Sequence, residues 1–140
     1  AIQTRMSKRI EPLQPFLATA SGKRVLGEFL ATHQRLVPHL VRQMEGIAAG
    51  SNVSFETLFA VSLAEELRYF HDPHSAARVE HCSDYMLCTE KVCLDGHNED
   101  GNLVDRELFV ASVSLGKLNF TVINYVGDLL GGMSAMAFNG

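Results

Sequence analysis

The sequence predicts an α+β fold in which a helical front half is followed by an antiparallel sheet. In the front half, apolar residues recur every three or four positions, as at Leu26, Phe29 and Leu30, which is the spacing of one helix face. After residue 80, short apolar runs alternate with Gly and polar residues, a pattern typical of strands and hairpins. Hydrophobic residues make up 46% of the 140 residues, which is enough for one domain with its own core.

Prolines, a glycine and a serine mark the expected helix boundaries. Pro12 is expected to kink or end the first helix, because proline lacks the amide hydrogen that a helix interior needs. Pro38 suits the first turn of a later helix, and Gly50 suits its C-terminal cap. Ser54 suits the N-cap of the next helix, and residues 71–80 predict an exposed loop.

The back half predicts an antiparallel meander. The expected strands are residues 85–88, 92–94, 108–113, 120–126 and 133–139. The first of them is apolar on both faces, which is typical of a strand in a sheet covered on both sides. We therefore expect the meander to be buried between layers.

Charge and hydropathy exclude several classes of function. The formal net charge is −4; residues 1–81 carry nine basic and eight acidic residues, and residues 82–140 carry three and eight. We interpret this acidic back half as solvated surface rather than as a site for a cationic substrate. The chain has no basic patch of the kind that binds nucleic acid, and its apolar stretches are too short to span a membrane. We expect no cofactor, and three cysteines without a signal peptide favour reduced thiols and a cytoplasmic location.

One group of residues suggests a nucleophile. Cys82 lies where the loop becomes a strand, and the predicted hairpin brings Asn98 and Asp100 back to its level. A thiolate can attack a carbonyl, an amide can donate to an oxyanion or orient the nucleophile, and a carboxylate can hold an amine. The residues alone also allow a plainer interpretation, in which Cys82 is a small buried apolar side chain.

The expected base is not a histidine. No histidine is placed as an obvious proton acceptor, but cleavage of the bond before Cys82 would release an α-amine. An α-amine titrates at about 7.7–8.0, a workable range for general base catalysis. A nucleophile of this kind supplies its own base.

The order of five segments resembles the isopenicillin N acyltransferase-like family of N-terminal-nucleophile hydrolases. That family has Gly-Cys-(Ser/Thr) followed by Gly-(His/Gln)-Asn-x-Asp, and this chain has His81-Cys82-Ser83 followed by Gly96-His97-Asn98-Glu99-Asp100. Residues 44–58 resemble its helix–loop–helix segment, residues 125–132 its Tyr-Pro-Gly turn, and residues 138–140 the next strand. The resemblance extends from about residue 35 to residue 140.

The resemblance implies a cysteine amidohydrolase that cleaves itself between His81 and Cys82. Residues 1–81 would form a helical pro-segment or small subunit, and residues 82–140 would begin a β subunit that continues beyond them, within an αββα sandwich. Cys82 would be the nucleophile, Asn98 would line the pocket, and Asp100 would pair with an Arg further along. The implied partners are the two self-derived subunits and a small N-acyl amine substrate such as N-β-alanyl dopamine.

Two other functions and two other sites compete with this interpretation. The functions are an acyl-CoA-dependent N-acyltransferase and an inactive fragment that serves as a binding subunit. His81 stands where the family has Gly, so cleavage is expected to be slower or absent. A zinc site at His71, His74, His81 and Cys82 is disfavoured by irregular spacing, and we expect no metal. Cys88 and Cys93 suggest either a redox pair or, as we favour, apolar filling.

Overall fold

The α+β order is confirmed: helices come first and two small antiparallel sheets follow. The computed structural model describes residues 2–71, 82–98, 107–130 and the backbone of 137–139. The helices are α1 (Ile2–Ile10), a short 3-10 helix (Glu11–Leu13), α2 (Gln14–Leu17), α3 (Ala20–Leu36), α4 (Pro38–Ser51), α5 (Phe55–Ser62) and α6 (Ala64–His71). The strands are β1 (Ser83–Cys88), β2 (Cys93–Asn98), β3 (Leu108–Leu115), β4 (Leu118–Tyr125) and β5 (Ala137–Asn139).

The helix ends follow the local sequence closely, with one exception. The Ser54 hydroxyl accepts the amide of Thr57 at 3.1 Å, which confirms the expected N-cap of α5. Pro38 opens α4, also as expected. Gly50 is not the cap, because α4 continues to Ser51 and Asn52 takes the left-handed conformation with φ 57°. Asn is the residue besides Gly that adopts this conformation most readily.

The core lies among the helices. Its buried members are contributed by every helical segment, with Met6, Leu13 and Leu67 almost fully inaccessible. The other members are Phe16, Val25, Leu26, Met44, Leu58, Phe59, Ala60, Val61, Leu63 and Ala64. Leu129, after β4, packs against this cluster and so connects the strand-forming half to the helical half.

The expected meander is divided into two sheets. β1 pairs with β2 alone, whereas β3, β4 and β5 form a separate antiparallel sheet in that order. Burial of the first strand between layers is wrong for the part of the chain that the structure describes: Tyr85 is 67% and Met86 74% exposed, and they lie on opposite faces. The apolar pattern of β1 is real, but no described layer covers it.

The end of β4 is the most buried part of the strands. Val122, Asn124 and Tyr125 are 0%, 1% and 4% exposed. The backbone then turns through Gly127, which has φ +97°. This turn faces α1. Among the described helices, none is long and apolar enough to cross a membrane.

Candidate functional site

Cys82 immediately precedes β1, at the junction that the sequence predicted. It carries a thiol and is exposed, so the interpretation of Cys82 as a buried apolar side chain is wrong. An exposed thiol is accessible to a substrate, whereas a buried structural cysteine is inert.

The hairpin register brings Asn98 to the same end as Cys82. Ser83, the residue after Cys82, pairs with Asn98 across β1 and β2. Opposed residues in an antiparallel pair have Cα atoms about 4.5–5.5 Å apart. Asn98 therefore lies one register position from Cys82, and it is exposed there as well.

Two of the other predicted site residues lie outside the described residues. These are His81, on the amino side of the expected cleavage site, and Asp100, two residues beyond β2. Their roles stay predictions. The catalytic roles of Cys82 and Asn98 also stay predictions, since the register establishes only that the two residues are neighbours.

The middle of the hairpin is held by a tyrosine and a glycine. Tyr85 is directly opposite Gly96 in the register. A Cβ atom at position 96 would overlap the aromatic ring of Tyr85, which shows that the ring lies over the glycine. A side chain at position 96 would therefore require the exposed ring of Tyr85 to move.

Cys88 corrects the interpretation of the second cysteine pair. It is exposed and disulfide-bonded, and the residue opposite it in the register is Cys93. Our preference for apolar filling is therefore wrong. A disulfide here closes the far end of the hairpin, six residues along the chain from Cys82.

Of the three histidines in the zinc hypothesis, the structure describes His71, which has ordinary structural surroundings. The ring of His71 packs on Phe16 with centroids 5.6 Å apart, and His74 and His81 lie outside the described residues. No group of metal-ligating side chains occurs in the described part of the chain.

A buried ionic cluster between α1 and the turn after β4 is absent from the sequence-based prediction. Arg5 is only 3% exposed, and it donates to both carboxylate oxygens of Asp128 at 2.7 and 3.1 Å. It also donates to the carbonyl of Val126 at 3.0 Å, and its guanidinium lies 5.0 Å from the ring centroid of Tyr125. The pattern of Ile2, Met6 and Arg5 on one helical face was the available signal.

The turn that receives Arg5 is itself well ordered by hydrogen bonds. The buried side chain of Asn124 donates to the carbonyls of Tyr125 and Asp128, at 3.1 and 3.2 Å. These bonds hold the turn closed, because a buried amide without partners would be costly. Asp128 is thus presented to Arg5 by a preformed turn.

A cavity of about 540 Å³ opens beside this cluster. Its walls come from both halves of the chain and are mainly apolar. They are formed by Ile2, Gln43, Gly46, Ile47, Phe109, Val126, Gly127, Asp128 and Leu130. A cavity of this size is in the range of small-molecule sites, although both carboxylate oxygens of Asp128 are already bound by Arg5.

The fold and the site together define a class: an α+β chain that carries an exposed thiol at the start of a strand, with an amide one register position away. Comparison with curated proteins finds a similar protein. The chain is 32% identical over 92 residues to the β-alanyl-dopamine/carcinine hydrolase of Drosophila melanogaster. The match covers 64% of this chain and 24% of that protein, so the chain spans about a quarter of its relative.

The other two comparisons add no relationship. No family model matches the chain, and no solved structure matches it.

Proposed function

We propose that this chain belongs to an amide hydrolase whose nucleophile is Cys82, activated by cleavage of the His81–Cys82 bond. The observation that supports it most is the hairpin register, in which Asn98 neighbours an exposed thiol at the start of β1. The similarity to a protein named as a hydrolase of β-alanyl-dopamine and carcinine supports the same class of reaction. The αββα sandwich of N-terminal-nucleophile hydrolases is part of this proposal.

Maturation would proceed by attack of the Cys82 thiol on the preceding carbonyl. Sγ bonds to the carbonyl carbon of His81, the C–N bond breaks, and the nitrogen leaves as an amine that keeps the thiol proton. Water then hydrolyses the resulting thioester, which gives a carboxylate on His81 and a thiol on Cys82. The product carries a new α-amine beside the thiol.

Turnover would use that amine as the base. It accepts the thiol proton while Sγ attacks the substrate amide carbonyl, and the substrate amine then leaves with the proton. Water hydrolyses the acyl-thioester and restores the thiol. Asn98 would line the pocket and orient the reacting groups, and Asp100 would pair with an Arg further along the chain.

The mass of the purified protein tests the maturation step. We expect two polypeptides that meet at His81 and Cys82 and whose masses sum to the intact chain plus one water. Cys82→Ala is expected to remain a single chain and to lose turnover. One uncut parent chain that is nonetheless active would contradict the proposal.

The matched control removes the other two cysteines. A Cys88→Ala/Cys93→Ala double variant loses the disulfide but retains Cys82, and we expect it to mature and to turn over substrate. Both variants are compared at equal helix content by circular dichroism. Equal loss of cleavage in Cys82→Ala and in the double variant would contradict the assignment of Cys82 as the nucleophile.

The proposed substrate is a small N-acyl amine such as N-β-alanyl dopamine. Release of the free amine from such a compound, followed by chromatography, tests hydrolysis. The acyltransferase alternative predicts synthesis instead of hydrolysis: an N-acyl amine forms, and only when an acyl-CoA and an amine are both added. These two outcomes distinguish water from an amine as the acceptor of the thioester.

A second candidate function, that of a binding subunit, is favoured by the exposed faces of the hairpin. Tyr85, Met86 and Leu87 are 67%, 74% and 56% exposed. Exposed apolar side chains in sequence are typical of a surface that contacts another protein. A chain that neither cleaves itself nor hydrolyses an amide, but binds a second polypeptide through this hairpin, would support this function instead.

The cytoplasmic location stays a prediction. The disulfide at Cys88 weighs against it, because disulfides are rare in reducing compartments. Alkylation of thiols in freshly lysed cells, followed by mass spectrometry of the hairpin, measures whether that bond is present.

A further inference from the structure

We infer that Arg5 and the turn after β4 form a clasp that keeps the two halves of the chain together once the bond at residue 82 is cut. The clasp consists of Arg5, Tyr125, Val126, Gly127 and Asp128. Its biological role depends on the proposed function, since only a cut chain needs it. The contact itself is independent of any cleavage.

The clasp joins residues from opposite sides of the cut. Arg5 precedes residue 81, and all of its partners in the clasp follow residue 82. Its guanidinium donates to the backbone carbonyl of Val126 and to the side-chain carboxylate of Asp128, and it lies over the ring of Tyr125. After cleavage, these contacts act between two separate polypeptides.

Burial makes the clasp sensitive to the loss of either charge. Arg5 is the one charged side chain that is buried among the residues the structure describes, at 3% exposure. The side chain of Asp128 is 30% exposed, so solvent weakens its side of the pair. Removing one partner of a buried pair leaves the other charge without compensation, which is far more damaging than loss of a surface pair.

The shape of the turn is matched to α1. A Cβ atom at Gly127 would lie 2.8 Å from Cε of Met6 and 3.3 Å from Cγ2 of Ile2. The absence of a side chain therefore lets α1 approach the backbone closely enough for Arg5 to reach Asp128. Leu129, two residues later, packs against the helical core and adds an apolar contact across the same boundary.

The test uses an added protease rather than self-cleavage. Residues 74–79 are replaced by a recognition sequence for a site-specific protease, in a Cys82→Ala background, and the folded chain is then cut. Size-exclusion chromatography and native mass spectrometry measure whether the two pieces stay together. We expect the parent pieces to migrate as one complex.

The variants are Arg5→Met and Asp128→Asn, with Arg24→Met as the matched control. Arg24 pairs with Glu28 at 2.7 Å on an exposed surface, where both side chains are more than 60% accessible. We expect Arg5→Met and Asp128→Asn to weaken association of the cut pieces by about 100-fold, and Arg24→Met to leave it unchanged. Pieces of both clasp variants that associate as tightly as the parent would overturn the inference.

Folding and self-cleavage are separated from association in this design. Circular dichroism of each uncut variant reports whether its helices are intact. If uncut Arg5→Met has lost them, Asp128→Asn decides, because it removes a charge without changing the shape of the side chain. Absence of self-cleavage in the parent would contradict the proposed function and leave the clasp standing.

Discussion

Replacing Gly127 by Ala should destabilise the chain more than the same change at another glycine of positive φ. Gly127 has φ +97°, a conformation that costs a residue with a Cβ about 1–2 kcal/mol. The new methyl group would also meet Cε of Met6 at 2.8 Å. Met6 is 1% exposed, so its side chain has no solvent to move into, and overpacking adds about 1–3 kcal/mol.

Gly116 provides the matched control. It lies in the turn between β3 and β4 with φ +62°, and a Cβ there would have nothing within 4 Å. Gly116→Ala therefore carries the conformational penalty of about 1–2 kcal/mol without the contact. Gly127→Ala should cost about 2–5 kcal/mol in total.

Urea unfolding monitored by circular dichroism separates the two variants. With a slope of about 2 kcal/mol per molar urea, a loss of about 3 kcal/mol lowers the midpoint by about 1.5 M. The corresponding decrease for Gly116→Ala is about half of that. If the two midpoints fall equally, α1 does not pack on the turn, and the close approach between Met6 and Gly127 is refuted.

Two further pairs of substitutions test the helical half and the proposed cleavage site. Gly22→Ala should destabilise the chain by about 1–3 kcal/mol, because its Cβ would overlap the carbonyl of Phe16, whereas Gly27→Ala in the same helix has open space and should stabilise it by about 1 kcal/mol. Thermal unfolding measures both, and shifts of the same sign would contradict the packing of α2 on α3. At the proposed cleavage site, His81→Gly should preserve or speed maturation and His81→Val should slow it, since a β-branched residue resists the strained backbone that the proposed cleavage requires. The rate at which two fragments appear on a denaturing gel is the measurement, and an unchanged rate in His81→Val contradicts the strain account.

Local signals in the sequence were sufficient for the helices. Ser54 and Pro38 act through their own backbone and side-chain chemistry, so their positions predict helix starts without knowledge of the rest of the fold. The prediction of Gly50 as the C-terminal cap was wrong because Asn also adopts the left-handed conformation readily, and Asn52 adopts it here. A choice between neighbouring residues depends on how the following segment packs.

Long-range contacts were beyond the reach of the sequence. Arg5 and Asp128 are 123 positions apart, and no local sequence pattern predicts that they pair. The division of the strands into two sheets depends on which strand edges pair with each other. The alternation of apolar residues along a strand does not specify that pairing. By contrast, the neighbourhood of Cys82 and Asn98 follows from one hairpin, so the sequence could predict it.

The ring of Tyr85 over Gly96 has a consequence for the precision of the candidate site. If β1 slid by one residue along β2, Tyr85 would face position 95 or 97, where a Cβ occupies the space that the ring now fills. The same slip would also turn every side chain of β1 to the opposite face. The tyrosine and the glycine, three positions from Cys82, thus help to fix which residue of β2 lies opposite each residue of β1. The Tyr85–Gly96 pair favours this register together with the disulfide at Cys88, and in this register Asn98 is opposite Ser83, the residue that follows Cys82.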